Sequence, residues 1–161
     1  AGAVSQAVTA FIFEECVADG AFVKYVRNPA VDASLLWLAT PFEVVGVSDP
    51  RMVATVARIE RELLGAGLRR YAADTYYGGG EWVLLTAWLA WHWRRAGRAA
   101  GAEALLEWVE AQRGVDGGLP EQVPGANSHP FFLEHWTNTW GPSAKPLLWS
   151  HAMLVVARLA D

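Results

Sequence analysis

The chain has 161 residues, 53% hydrophobic and 19% charged, with 13 basic residues against 17 acidic ones. A net charge of -4 without a basic run argues against a nucleic-acid surface, and charges that interrupt every apolar run argue against a transmembrane helix. One cysteine, Cys16, excludes an internal disulfide framework, and the histidines lack metal-ligand spacing, so neither metal nor cofactor is expected.

Apolar residues at Val4, Ala7, Val8, Phe11, Ile12 and Cys16 recur at helical spacing, so a helix is predicted over 4–17 with Cys16 as core filling. Glu14 and Glu15 fall on its solvated side. No signal-peptide pattern precedes it, and a cytoplasmic protein is expected. The segment "AFVKYV" is the one strand candidate, in a small hairpin. Asp32 is placed as the N-cap of a helix carrying Leu35, Leu36 and Leu38. A clearer helix follows: Ser48 or Asp49 caps it, Pro50 opens it, Met52, Val53, Val56, Ile59, Leu63 and Leu64 line one face, and Gly65 or Gly67 ends it.

The connector "RRYAADTYYGGGEW" comes next, then a helix that is apolar nearly all round through Trp82, Leu85, Trp88 and Trp91. "GAEALLEWVEAQRG" is one-sided, with Ala102, Leu105, Leu106 and Val109 inward. A long connector without assigned structure runs from Gly114 to Leu148, and the last helix, "LLWSHAMLVVARLA", is again apolar nearly all round. One-sided helices alternating with helices buried on most sides imply two concentric layers. The expectation is one all-α domain over 1–161, an α/α toroid, with a plain bundle as the alternative.

Nine tryptophans stand out, because tryptophan in a connector faces a ligand or partner. Between Arg69 and Trp82, Arg70 offers a rigid fork of donors, Asp74 can orient it, and Tyr76, Tyr77 and Trp82 offer flat faces with polar edges. Three glycines let the backbone turn sharply and approach a ligand. A sugar ring wants this mixture; a structural tyrosine corner with a surface arginine has the same composition. In "GGLPEQVPG", Glu121 is a carboxylate on a rigid turn and a general-base candidate. Glu134 is the second choice.

These stretches taken together resemble a known family. "RRYAADTYYGGGEW" resembles the arginine–tyrosine–aspartate loop of the glucoamylases, "LPEQ" their catalytic-base motif, and "SAKPLLWSHAM" the start of a later helix; "VDASLLWL" is similar to a helix of bacterial members. The order and spacing agree over most of the chain, and the resemblance is to glycoside hydrolase family 15. It implies an (α/α)6 barrel and inversion at the anomeric carbon by two glutamates. Glu121 matches the base, Ser143 a serine bonded to it, and Arg70 an arginine on sugar hydroxyls. Tyr76, Trp82 and Trp149 match subsite aromatics, and Asp74 matches the loop. No residue matches the general acid, so the chain reads as the C-terminal half of the barrel, partnered by an N-terminal half and by glucose or an α-gluco-oligosaccharide. A non-catalytic carbohydrate-binding or scaffold piece is the alternative.

Overall fold

A computed structural model describes residues 2–160. Helix α1 spans Gly2–Glu15 and buries none of its side chains, with Val4, Val8 and Phe11 all more than half exposed. Cys16 falls outside the helix and is only partly buried, so it does not fill a core. The hairpin expected near "AFVKYV" exists but is shorter and lies earlier. Strand β1 (Val17–Ala18) pairs antiparallel with β2 (Ala21–Phe22). Asp19 and Gly20, at φ 51° and 76°, supply the two left-handed residues that a two-residue hairpin turn needs.

Asp32 caps as expected, accepting the Ser34 N–H at 2.9 Å, but what it caps is a 3-10 helix over Ala33–Leu38. Pro41 lies three residues beyond, and a proline disfavours helical backbone in the residue before it, so the turn stays short. Helix α2 (Pro50–Leu63) starts on Asp49, whose carboxylate accepts the Arg51 N–H, with Pro50 at the first helical position. Met52, Val56, Ile59 and Leu63 are buried, whereas Val53 is exposed.

Three short strands form the antiparallel sheet that matters most. Strand β3 (Leu68–Arg69) pairs with β4 (Glu81–Trp82), and β4 pairs with β5 (Gln122–Val123). The register sets Leu68 opposite Trp82 and Trp82 opposite Gln122. The two candidate loops, 45 residues apart between Tyr76 and Glu121, are thereby joined through β4, the central strand.

Helix α3 (Val83–Arg95) continues directly from β4 and is buried from Val83 through Ala90. It packs against α4 (Ala99–Ala111), which turns Ala102, Leu105, Leu106 and Val109 inward as its pattern predicts. It also packs against α6 (Leu148–Leu159). Helix α6 was expected to be buried on most sides, yet it buries only Ser150, Met153, Leu154 and Ala157 and leaves Leu148, Val155 and Leu159 exposed. The connector 114–148 is not structureless: α5 (Pro130–Trp140) begins on Pro130 and packs across the Tyr76–Gly78 turn.

Candidate functional site

Glu121 lies one residue before β5, and its backbone is fixed from three sides. Its N–H donates to the Ala144 carbonyl at 2.9 Å, and its carbonyl accepts the Val83 N–H at 3.0 Å, at the start of α3. The preceding residues are strapped to α6: Ser150 Oγ donates to the Pro120 carbonyl at 2.8 Å, and the Leu119 N–H donates to His151 Nε2 at 3.0 Å. That bond requires an imidazole whose Nε2 carries no proton. The carboxylate receives two hydroxyls on one oxygen: Tyr76 Oη donates to Oε2 at 3.2 Å and Ser143 Oγ to the same atom at 3.3 Å. Oε1 receives no hydrogen bond among the described residues.

The arginine connector wraps beside it. Arg70 grips Asp74 with two parallel bonds, Nε to Oδ2 at 2.9 Å and Nη2 to Oδ1 at 2.6 Å, and Asp74 is 1% exposed. Burial opposes the charge on Arg70, but the bonds to Asp74 and its charge outweigh that and hold the arginine above its ordinary pKa. Asp74 Oδ1 also accepts the Tyr76 N–H at 3.1 Å, which orients the turn that carries this tyrosine. The guanidinium lies 4.7 Å from the Trp82 ring centre and 5.5 Å from that of Tyr76, and these two rings stack at 5.7 Å. Burial first, then the negative charge of Glu121, pushes the Tyr76 phenol up to about 12, so it is a hydrogen-bond donor at neutral pH.

Five predicted residues, Arg70, Asp74, Tyr76, Trp82 and Ser143, therefore gather with Glu121 in one connected constellation. Trp149 stands in a second one: its ring is 6.3 Å from Trp37 and 6.4 Å from Trp88, and Trp37 stacks on Trp88 at 4.8 Å. The glycine triplet serves the protein itself rather than leaving room for a ligand. A Cβ on Gly79 would fall 2.2 Å from the Asp74 carbonyl oxygen, and one on Gly80 would fall 2.5 Å from that of Val123. Glu134 is exposed on α5. His92 is remote from this chemistry, bonded through Nδ1 to Thr40 Oγ1 at 3.2 Å, and burial lowers its pKa to about 4. No group of metal-ligating side chains occurs among the described residues.

Sequence reasoning missed several supporting residues. Gln122 accepts the Gly80 N–H through Oε1 and donates through Nε2 to the Tyr76 carbonyl, so it pins the tyrosine turn to β5. Its place beside Glu121 in "LPEQ" was the available signal. Trp136 on α5 touches both Tyr76 and Tyr77, at 4.9 and 5.6 Å between ring centres; the sequence marked it only as one aromatic of an unassigned connector. A cavity of about 760 Å³ adjoins Ser143, lined by Tyr77, Pro120, Gln122 and Leu133, and Glu121 does not line it.

No protein-family model matches the chain. Over 159 residues it is 42% identical to an isomaltose glucohydrolase of Kribbella flavida, covering 98% of this chain and 41% of that protein. A solved glycosidase variant in complex with glucose superposes with a TM-score of 0.94 at 40% identity, over 96% of this chain and 42% of that one. A bacterial glucoamylase complexed with acarbose superposes at 0.63 and 24% identity, over 89% of this chain and 22% of that one, a likeness of fold. The chain thus spans less than half the length of these relatives. As far as it extends, its all-α fold is that of part of a glucoamylase-like toroid.

Proposed function

We propose that the chain forms the base-bearing part of an inverting, exo-acting hydrolase of α-linked glucosides, of the glucoamylase group in glycoside hydrolase family 15. The observation that carries this reading is the carboxylate of Glu121, anchored on one oxygen by two hydroxyls beside an arginine fork and stacked rings. With Oε2 occupied, Oε1 is the atom left to take a proton from an attacking water. Arg70 Nη1, which Asp74 leaves unbonded, and the partly exposed Tyr76 ring beside the carboxylate suit a sugar ring, which offers hydroxyls at its edge and C–H groups on its face. The likeness to an isomaltose glucohydrolase supports a short α-linked glucoside, α-1,6 or α-1,4, as the substrate class with isomaltose the first candidate, and inversion would release β-glucose.

Inversion needs two carboxyl groups about 6.5–9.5 Å apart, one protonated to help the leaving group and one ionised to activate water. Asp74 cannot be the second, because Arg70 engages both its oxygens. The resemblance to family 15 puts the general acid upstream, on a polypeptide that would supply the remaining length and close the six-hairpin barrel. The same fact favours a second reading, a sugar-binding or scaffold piece with no hydrolysis of its own.

Proton NMR of isomaltose mixed with the chain and its complementary half separates the two. Initial release of the β-anomer, falling by ~10²–10⁴-fold in Glu121→Gln with sugar binding retained, supports the hydrolase. Sugar binding without release in the assembled protein supports the second reading, and turnover unchanged in Glu121→Gln overturns the role of that residue.

A further inference from the structure

Both hydroxyls that hold Glu121 lead back to one indole. The Tyr76 ring lies between Trp82, stacked at 5.7 Å with 27° between the planes, and Trp136, edge-on at 4.9 Å with 69° between them. The other hydroxyl, on Ser143, follows Gly141 and Pro142, and the Gly141 carbonyl accepts the Tyr77 hydroxyl at 2.9 Å. The Tyr77 ring is itself 5.6 Å from Trp136. Tyr77 has a left-handed backbone at φ 46°, ψ 38°, a conformation unfavourable for a bulky residue that persists only where the surroundings enforce it. The enforcement here is tertiary. Asn127 Nδ2 donates to the Tyr77 carbonyl at 3.0 Å and the His129 N–H to the Gly78 carbonyl at 2.9 Å, while Trp136 backs the ring. Helix α5 is therefore tied to the tyrosine turn ahead of its first residue and again just after its last.

We infer that Trp136 is a positioning residue for Glu121, fixing through Tyr76 and Tyr77 the two hydroxyl donors that aim the carboxylate. This rests on the reading of Glu121 as a base only for its kinetic consequence; the geometric claim stands apart from it. Trp136 touches no carboxylate itself, so its removal acts on the hydroxyls. The groups that face the Tyr76 phenol are Glu121, Tyr77 and Arg70, and water admitted in place of the indole would lower its pKa by relieving its burial.

The test is a tyrosine ring-carbon NMR titration of the whole chain, with the Tyr76 signal assigned by its loss in Tyr76→Phe. The wild type is expected to begin titrating only well above pH 10, toward a midpoint of about 12. Trp136→Ala should shift the Tyr76 curve down by about one unit or more, and Trp136→Phe should restore it. A Tyr76 curve in Trp136→Ala that superposes on the wild type, with helix content unchanged, overturns the inference. Should Trp136→Ala fail to fold, Trp136→Leu keeps most of the volume without the aromatic edge and is judged by the same curve. In the assembled hydrolase, Trp136→Ala should lower kcat about tenfold with KM changed less than about twofold, and Trp136→Phe should recover it. A loss confined to KM would overturn the positioning role. Absence of hydrolysis in every form, wild type included, would defeat the functional reading while the NMR titration still decides this one.

Discussion

Arg70 spends Nε and Nη2 on Asp74, and its third nitrogen, Nη1, makes no hydrogen bond among the described residues, so it remains for a ligand hydroxyl. In the hydrolase proposed above, Arg70→Ala should raise the barrier measured by kcat/KM by about 2–3 kcal/mol, as expected if a sugar hydroxyl loses a charged partner. A fall in melting temperature with kcat/KM unchanged would make the pair purely structural, since Asp74 loses its counter-ion in the same variant. His92 supplies a second prediction at this scale. Its folded pKa of about 4 lies below the unfolded 6.5, so between those values the unfolded chain binds more protons and stability falls as pH falls. Urea unfolding should show a loss of about 2 kcal/mol from pH 7 to pH 5, absent in His92→Gln. Glu121, Arg70 and Ser143 were legible because short motifs carried them. The contacts of Gln122, His151 and Trp136 were not, because each acts on a backbone or ring 32 to 60 positions away that only folding brings near.

The elements read well where caps and periodicity agreed. Asp49 and Pro50 announced α2, and its buried face followed the 3.6-residue pattern. Asp49→Ala should cost about 1 kcal/mol in chemical denaturation. The Arg51 hydrogen bonds hold the Asp49 carboxyl down to about 2, so its contribution is present above the unfolded value of 3.8 and lost as pH falls through about 2. Melting curves of wild type and Asp49→Ala should converge over that window. Helix α5 escaped notice for a physical reason. Its threonines, asparagine and aromatics are mediocre helix formers, His129 makes no side-chain cap, and it buries no residue fully. What holds it is docking on the tyrosine turn, which no local propensity records. The hairpin was legible as a motif but displaced by a few residues, because Asp19-Gly20 set the turn rather than the apolar run after it.

At the scale of the molecule, α1 and α6 both present apolar side chains to solvent. Val4, Val8 and Phe11 on α1 are each more than half exposed, and so are Leu148, Val155 and Leu159 on α6. Contiguous exposed apolar surface of this kind marks a contact site. If the complementary half proposed above docks on these faces, Val8→Glu and Val155→Glu should weaken that association, read by gel filtration or calorimetry, while leaving the melting temperature of the chain within about 1 °C. Undiminished association in both variants would place that contact elsewhere. The layered helical plan was legible from alternating one-sided and all-round apolar helices, and α3 obeyed it. Helix α6 did not: it buries Ser150, Met153, Leu154 and Ala157 and leaves Leu148, Val155 and Leu159 exposed.

The main-chain bonds around Glu121 have a consequence for how the protein fails. The carbonyl of this residue belongs to the first turn of the most deeply buried helix, and its N–H belongs to the segment leading into another. Heating therefore should not let the acidic group wander while the rest stays intact. In the hydrolase proposed above, inactivation and collapse of the interior should arrive together, as a single sharp event, with no lukewarm, half-working form in between.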